Sequence, residues 1–152
     1  MIASDQDRIN RSSEVTLRPV TVETLDTILG LEVRKDQTQF VATNAKSIAQ
    51  AHFYREAWFR AIYADEAAVG FLMLYDEGLR EPVPDLPTYF LWRFMIDQRF
   101  QNNGFGRQAM GLLINHVRSR PHSAELLLSH RQGAGSPEQF YRSLGFEHTC
   151  PL

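Results

Sequence analysis

The most informative stretch of this 152-residue sequence is Gln101-Asn102-Asn103-Gly104-Phe105-Gly106. It joins an aromatic segment at 88–96, which predicts a buried strand, to apolar residues at helical spacing over 104–118. The first N–H groups of such a helix point to one spot, where the helix dipole favours an anion. Glycines leave room for a phosphate, and Arg107 adds positive charge at the rim. The stretch therefore predicts a phosphate-binding loop, with a plain strand-to-helix turn as the alternative.

Two motifs resemble the signatures of the GNAT superfamily of N-acetyltransferases. Gln101-x-x-Gly104-x-Gly106 matches the family's (Arg/Gln)-x-x-Gly-x-(Gly/Ala) loop, and its spacing is neither that of a Rossmann fingerprint nor that of a Walker loop. Further on, Tyr141-x-x-x-Gly145-Phe146 matches a second family signature at the end of a helix. The resemblance covers roughly residues 15–148 and is closest to bacterial members of the spermine/spermidine acetyltransferase type.

The resemblance implies an α/β fold, the GNAT fold, in one domain over residues 15–152. This fold has a mixed central sheet of about six strands flanked by about four helices. Little sequence follows Phe146, so we expect the final strand to be short or missing. The polar residues 1–14 are expected to form a flexible N-terminal arm.

Hydrophobic patterning gives the same order of elements. Alternating or continuous apolar runs predict strands, at 15–20, 57–63, 67–75, 88–96 and 124–129. Helical spacing predicts helices, at 22–31, 47–55, 104–118 and 137–144. Thr21 is expected to cap the first of them, with Val22 on its apolar face. Ser136 and Pro137 are expected to start the last one, which ends before Gly145.

The resemblance also implies acetyl-CoA as the cosubstrate. In the family, the loop amides bind the CoA pyrophosphate, and the main chain of the preceding strand meets the pantetheine arm and thioester. Transferred to this sequence, the cofactor-binding residues are Phe94, Met95, Ile96, Gln101, Asn102, Asn103, Gly104, Phe105, Gly106, Arg107 and Ser136. Ser136 closes a stretch, 133–136, in which relatives usually carry an asparagine, so that side-chain contact is missing here.

The resemblance gives Tyr141 the role of general acid toward the departing thiolate. The general base stays open. Polyamine-acetylating relatives commonly carry an acid at the position of Trp92, and a tryptophan can stack on a cation but cannot take its proton. We expect Phe40, Trp92 and Asp76 to contact the acceptor. The base is either water or one of several acids, namely Glu32, Asp36, Asp76, Glu77, Glu81 and Asp85.

The composition of the sequence limits the kinds of partner and metal that we expect. The net charge of −2 disfavours a nucleic-acid partner. Neither the one cysteine, Cys150, nor the five scattered histidines show metal-ligand spacing, so no metal site is expected. No signal peptide or membrane span is evident, and we expect a cytoplasmic protein. The expected partner is a small-molecule amine, with a homodimer allowed for. The alternatives are a non-catalytic acetyl-CoA sensor and a protein N-terminal or lysine acetyltransferase.

Overall fold

The computed structural model describes residues 8–130 and 136–147. Within them, the strands are β1 (Val15–Arg18), β2 (Ala57–Ala64), β3 (Ala67–Asp76), β4 (Tyr89–Ile96) and β5 (Leu127–Leu128). The α-helices are α1 (Leu25–Leu29), α2 (Asn44–Phe53), α3 (Phe105–Arg118) and α4 (Glu138–Ser143). The predicted α/β class is confirmed, because strands and helices interleave along the chain as the patterning indicated.

The strands form one mixed sheet in the order β1-β2-β3-β4-β5. Strands β1 to β4 pair antiparallel with one another in that order, and β5 pairs with β4 in parallel. Five strands are described where about six were predicted. A final strand would fall largely at 148–152, outside the described residues. The parallel pair is short, since it joins only Phe90 to Leu127 and Leu91 to Leu128.

Two hydrophobic clusters cover the two faces of the sheet. One includes Phe105, Met110 and Leu113 of α3, with Tyr141 of α4. The other includes Ile28 of α1, and α2 packs against it through partly buried apolar side chains. Strand β3 contributes fully buried residues to both clusters, which explains its continuous apolar sequence. The sheet is therefore a central layer with helices on both faces.

Strand β4 carries a β-bulge that affects what it displays. Leu74 of β3 pairs with Leu91 and Met73 pairs with Arg93, so Trp92 is an extra residue between them. Trp92 packs in the cluster on the α1 and α2 face. Arg93, opposite Met73 of the same cluster, reaches Gln50 of α2. Two consecutive residues thus face the same side of the sheet.

Several predicted boundaries were wrong at the first helix. Thr21 is not its N-cap, because α1 begins at Leu25 with Thr24 as the N-cap. The Thr21 N–H donates a hydrogen bond to the Thr24 hydroxyl at 2.9 Å. Val22 is 83% exposed rather than on the apolar face, because it lies in the turn before the helix.

The strand predicted at 124–129 is shorter in the structure, where β5 consists of Leu127–Leu128 alone.

The second helix starts earlier than predicted. Thr43 is its N-cap and accepts a hydrogen bond from the Lys46 N–H, which the sequence reading had not used. Asn44 then begins α2 with its side chain buried, donating to the Ile28 carbonyl at 2.9 Å. This bond ties α2 to the end of α1.

The described part of the predicted N-terminal arm contacts the domain. Ser13 is buried, and the Glu14 N–H donates to the Asp65 carboxylate at 3.0 Å. Arg11 donates to the carbonyl of Asn102 at 3.0 Å, so the chain before β1 reaches the glycine loop. Residues 1–7 lie outside the described part of the chain.

Candidate active site

A cavity of about 670 Å³ lies where β4, the start of α3 and α4 meet the segment 33–42. Most of the predicted site residues line it, namely Phe40, Trp92, Phe94, Met95, Ile96, Gln101, Asn102, Gly104, Phe105, Gly106, Arg107, Ser136 and Tyr141. Residues spread over 102 positions of sequence are thus brought to one site by the fold. The cavity is large enough for part of an extended ligand.

The glycine loop leaves the start of α3 open. Gly104 has φ +79° and Asn102 has φ +67°, left-handed conformations that glycine and asparagine adopt most readily. No side chain caps α3, and its first turn holds no acid. The free N–H groups and the helix dipole therefore favour an anion at this end. This local geometry fits the pyrophosphate of CoA, which the resemblance implied.

The side chain of Gln101 fixes this loop to β4. Its Nε2 donates to the Ile96 carbonyl at 2.9 Å and to the Gln37 Oε1 at 3.0 Å. Asn103 does not line the cavity, contrary to the expectation that it binds the cofactor. Its Nδ2 instead donates to the carbonyls of Phe100 and Gln101, at 3.1 and 3.3 Å, and so shapes the turn.

Helix α4 approaches the loop closely at Gly106. A Cβ at that position would lie 3.3 Å from the Phe140 ring, so glycine permits the contact. Phe140 stacks on Phe94 of β4, with ring centroids 6.0 Å apart. The Arg107 guanidinium donates to the Ser143 hydroxyl at 2.8 Å. These contacts join α3, α4 and β4 into one wall of the cavity.

Tyr141 lies at the base of this wall. Its side chain is 9% exposed, and burial raises its pKa to about 12. The ring contacts Phe146 edge-on at 5.9 Å and lies 6.4 Å from the ring of His130. The phenol therefore stays protonated throughout the pH range in which proteins work, as a hydrogen-bond donor requires.

A second cavity, of about 830 Å³, lies between α3, β5 and α4. Of the predicted site residues, Tyr141 alone lines it within the described part of the chain. Because the glycine loop opens into the smaller cavity, we place the candidate site there. Tyr141 stands between the two.

Asp76 is not part of the candidate site, contrary to expectation. Its carboxylate is 1% exposed, forms an ion pair with Arg120 at 2.8 Å and accepts a hydrogen bond from the Gly78 N–H. It lies at the end of β3 and does not line the cavity. The other acids considered as bases do not line it either: Glu32, Asp36, Glu77, Glu81 and Asp85.

Some lining residues escaped the sequence reading. Arg93 adjoins Trp92 on β4, Gln37 supports the loop, and His130 follows β5. Arg93 could have been found from the sequence, because it is an arginine inside an otherwise apolar strand. Gln37 lies 64 residues before Gln101, and His130 belongs to neither motif, so only the fold brings them to the site.

No group of three or more histidine, cysteine, aspartate or glutamate side chains is placed to hold a metal among residues 8–130 and 136–147. No helix in the same residues is long and apolar enough to cross a membrane.

Comparison with known proteins defines the class. The family model described as "Acetyltransferase (GNAT) family" matches residues 26–146. The protein is thus an N-acetyltransferase by class, and the chain belongs to the GNAT family. It is 25% identical over 146 residues to the spermine/spermidine N(1)-acetyltransferase of Bacillus subtilis (strain 168), covering 91% of each chain.

Solved structures share the fold. An aminoglycoside 6'-N-acetyltransferase, AAC(6')-IG from Acinetobacter haemolyticus, is similar with a TM-score of 0.65 and 14% identity, over 91% of this chain and 94% of that one. Arabidopsis thaliana Naa50, solved with the bisubstrate analogue CoA-Ac-MVNAL, is similar with a TM-score of 0.62 and 20% identity, over 90% and 85%. The GNAT fold expected from the two motifs is confirmed.

Proposed function

We propose that this GNAT enzyme transfers the acetyl group of acetyl-CoA to the amine of a small molecule. The observation that carries the proposal is the junction of an uncapped helix start with the β4 strand and Tyr141 in one cavity. Acetyl-CoA supplies the activated acetyl group as a thioester. The loop 101–106 and Arg107 would hold its pyrophosphate, and the main chain of Phe94–Ile96 would line the pantetheine arm.

Tyr141 is proposed to assist departure of the thiolate when the new C–N bond forms and the C–S bond breaks. Its pKa of about 12 lies above the ~8.5 of an ordinary thiol, so complete proton transfer to the sulfur is uphill. Its hydroxyl can still donate a hydrogen bond to the developing negative charge. We therefore assign Tyr141 a stabilising role that is strongest in the transition state.

The proton released by the amine needs an acceptor. The carboxylates considered from the sequence all lie outside the cavity lining. Within the described lining, His130 is the one imidazole, and it lies beside Tyr141. His130 and water are therefore the proposed acceptors. Cytoplasmic location and a homodimer remain predictions.

The test combines binding with turnover. Acetyl-CoA at a hundredfold excess over its Kd is expected to stabilise the protein by about 2.7 kcal/mol, and ATP or NAD by much less. Thiol release is then measured over a panel of amines, with an N-terminal peptide as a separate arm. Equal stabilisation by ATP would contradict the pantetheine assignment. Binding without release for any acceptor would favour the sensor alternative.

A further inference from the structure

The permanently charged residues of the cavity lining are all positive in the part of the chain that the structure describes. Arg34, Arg93 and Arg107 line the cavity, and no aspartate or glutamate does. A polyamine would bring further positive charges to this wall, where they would be repelled. The lining therefore favours an acceptor that brings a negative charge with its amine.

The three arginines differ in what already neutralises them. Arg34 is exposed and pairs with Asp36 at 3.3 Å. Arg107 is exposed at the glycine loop, where a CoA phosphate is proposed. Arg93 is half-buried, and no carboxylate pairs with it among the described residues. Among the three lining arginines of the described residues, Arg93 is the one with neither a carboxylate partner nor a proposed phosphate.

Hydrogen bonds only partly satisfy the Arg93 guanidinium. One terminal nitrogen donates to the Gln50 Oε1 at 2.8 Å, and the other to the carbonyl of Trp92 at 3.0 Å. The Nε is buried and has no partner. A guanidinium has five N–H donors, and taking its charge out of water is unfavourable without an anion. Burial accordingly lowers its pKa.

The backbone and α2 hold Arg93 in this position. The bulge in β4 puts Trp92 and Arg93 on the same face of the sheet, away from α3 and α4. Gln50 then fixes one end of the guanidinium. A carboxylate is the group that best matches the planar fork of an arginine, because it accepts two parallel hydrogen bonds.

We propose that the acceptor is a small amine that also carries a carboxylate, and that Arg93 binds this carboxylate beside Trp92. The proposal rests on the proposed acetyltransferase function. It makes Arg93 a specificity-determining residue, and it makes polyamines such as spermidine poor acceptors, although the Bacillus subtilis relative is named for spermine and spermidine.

The test uses amines in matched pairs that differ only in a carboxylate: L-phenylalanine with phenethylamine, L-leucine with isoamylamine, and β-alanine with ethylamine. In at least one pair, we expect the wild type to prefer the carboxylate member by tenfold or more in kcat/KM, mainly through KM. Spermidine should stay below about 10⁴ M⁻¹s⁻¹, the low end of ordinary enzyme efficiency.

Variants separate recognition from amine basicity. Arg93→Gln should reduce the preference within the best pair to about threefold or less, while Arg93→Lys should restore part of it. Each variant is compared with the wild type on the same pair of amines. The difference in pKa between the two amines therefore affects every preference equally and cancels in the comparison. Arg34→Gln is the matched control: it removes an arginine charge from the same cavity and should keep the preference. Equal loss in Arg34→Gln would show a general effect of cavity charge and overturn the assignment to Arg93.

A binding measurement distinguishes this inference from the proposed function. Calorimetry with N-acetyl-L-phenylalanine and N-phenethylacetamide, on protein loaded with CoA, needs no turnover. If no amine is acetylated but the acetylated amino acid binds at least tenfold more tightly, and Arg93→Gln removes the difference, the proposed function fails and the carboxylate site stands. If the two compounds bind equally and the pairs are acetylated equally, or spermidine exceeds the limit, the carboxylate proposal is overturned while the acetyltransferase function stands.

Discussion

The side-chain Nε2 of Gln101 lies 2.9 Å from the main-chain oxygen of Ile96, across the turn that joins β4 to the glycine loop. This donor closes the loop against the strand before any ligand is bound. The glutamine of the loop motif is thus a structural clamp as well as a cavity-lining residue. Its amide also reaches Gln37, so the clamp extends to the opposite wall.

The clamp gives the first prediction. Gln101→Glu preserves size but replaces the donor by an acceptor that faces a carbonyl oxygen. We expect the loop to open and the Kd for acetyl-CoA to rise about tenfold or more, the scale of one lost hydrogen bond with an unsatisfied partner. Calorimetric titration measures it. Gln108→Glu, an exposed change on α3, makes the same charge change nearby and should bind normally. Equal affinity in the two variants would argue against the clamp.

The second prediction concerns the space in front of α3. Gly104 has φ +79°, and a Cβ there would meet nothing within 4 Å, so a side chain would stand in the open mouth of the loop. Asparagine tolerates this backbone conformation, which makes Gly104→Asn foldable at a cost of about 1 kcal/mol. We expect acetyl-CoA binding to weaken at least tenfold.

Gly145 supplies the control, because it also has a left-handed φ, +96°, with open space around it, and it lies outside the loop. Gly145→Asn carries a similar backbone strain and should keep acetyl-CoA affinity within a few-fold. Thermal unfolding checks that the two variants are comparably stable. Wild-type affinity for acetyl-CoA in folded Gly104→Asn would contradict the assignment of phosphate binding to this loop.

The third prediction separates chemistry from binding at Tyr141. Tyr141→Phe keeps the ring and removes the hydroxyl, so acetyl-CoA should bind within a few-fold. Single-turnover acetyl transfer should slow by about 10²-fold, a usual contribution of one positioned hydrogen-bond donor in the transition state. Because the pKa of Tyr141 is raised to about 12, it stays protonated from pH 6 to 10, and the ratio of the two rates should be constant there.

Tyr63→Phe is the control for Tyr141→Phe, since Tyr63 is similarly buried but does not line the cavity. A Tyr141→Phe rate equal to that of the wild type at every pH would exclude the hydroxyl from the mechanism. A rate ratio that falls steeply below pH 10 would contradict the raised pKa.

The fourth prediction concerns stability and pH at Asp97. Burial opposes its ionisation, but hydrogen bonds from Arg99 and from the Glu32 N–H prevail and lower its pKa. Asp97→Asn should reduce the free energy of unfolding by about 1–3 kcal/mol at pH 7. A depressed pKa stabilises the fold above the ordinary value of ~3.9, and this contribution is lost as pH falls through the folded-state value.

The difference between wild type and Asp97→Asn should therefore be constant from pH 8 to 5 and shrink below about pH 4. Urea denaturation across this range measures it. Asp85→Asn, on an exposed loop, should leave the unfolding free energy within about 0.5 kcal/mol at pH 7. A difference that grows toward low pH would reverse the sign of the proposed linkage.

The parts predicted best were those encoded by local chemistry. The glycine loop and α3 follow from backbone freedom and helical spacing, so both were located from the sequence. Cofactor binding by residues 101–107 stays a prediction, and the turn-shaping hydrogen bonds of Asn103 were not foreseen. Strands β2 and β3 were also located closely, because continuous apolar runs between turns allow few alternatives.

The parts predicted poorly depend on tertiary contacts. Asp76 looked like a solvated loop acid, but Arg120, 44 residues further on, draws it into a buried ion pair. Arg93 was overlooked because its role comes from the bulge and from Gln50 of another element. Hydrophobic periodicity in the sequence does not show which distant side chain a charged residue will contact in the fold. That contact decides whether the charged residue is available to bind a ligand.

The bulge at Trp92 also sets where β4 can change in length. Deleting Trp92 would leave Leu91 opposite Leu74 and Arg93 opposite Met73, so every remaining side chain would keep its face. Deleting Phe94 would force the residues on one side of the gap to exchange faces, carrying Arg93 toward the α3 core or an apolar residue out of it. The loss of one codon is thus compatible with the sheet register at the bulge, at Trp92 or at Arg93, and such a loss would change the acceptor wall without changing the order of the strands.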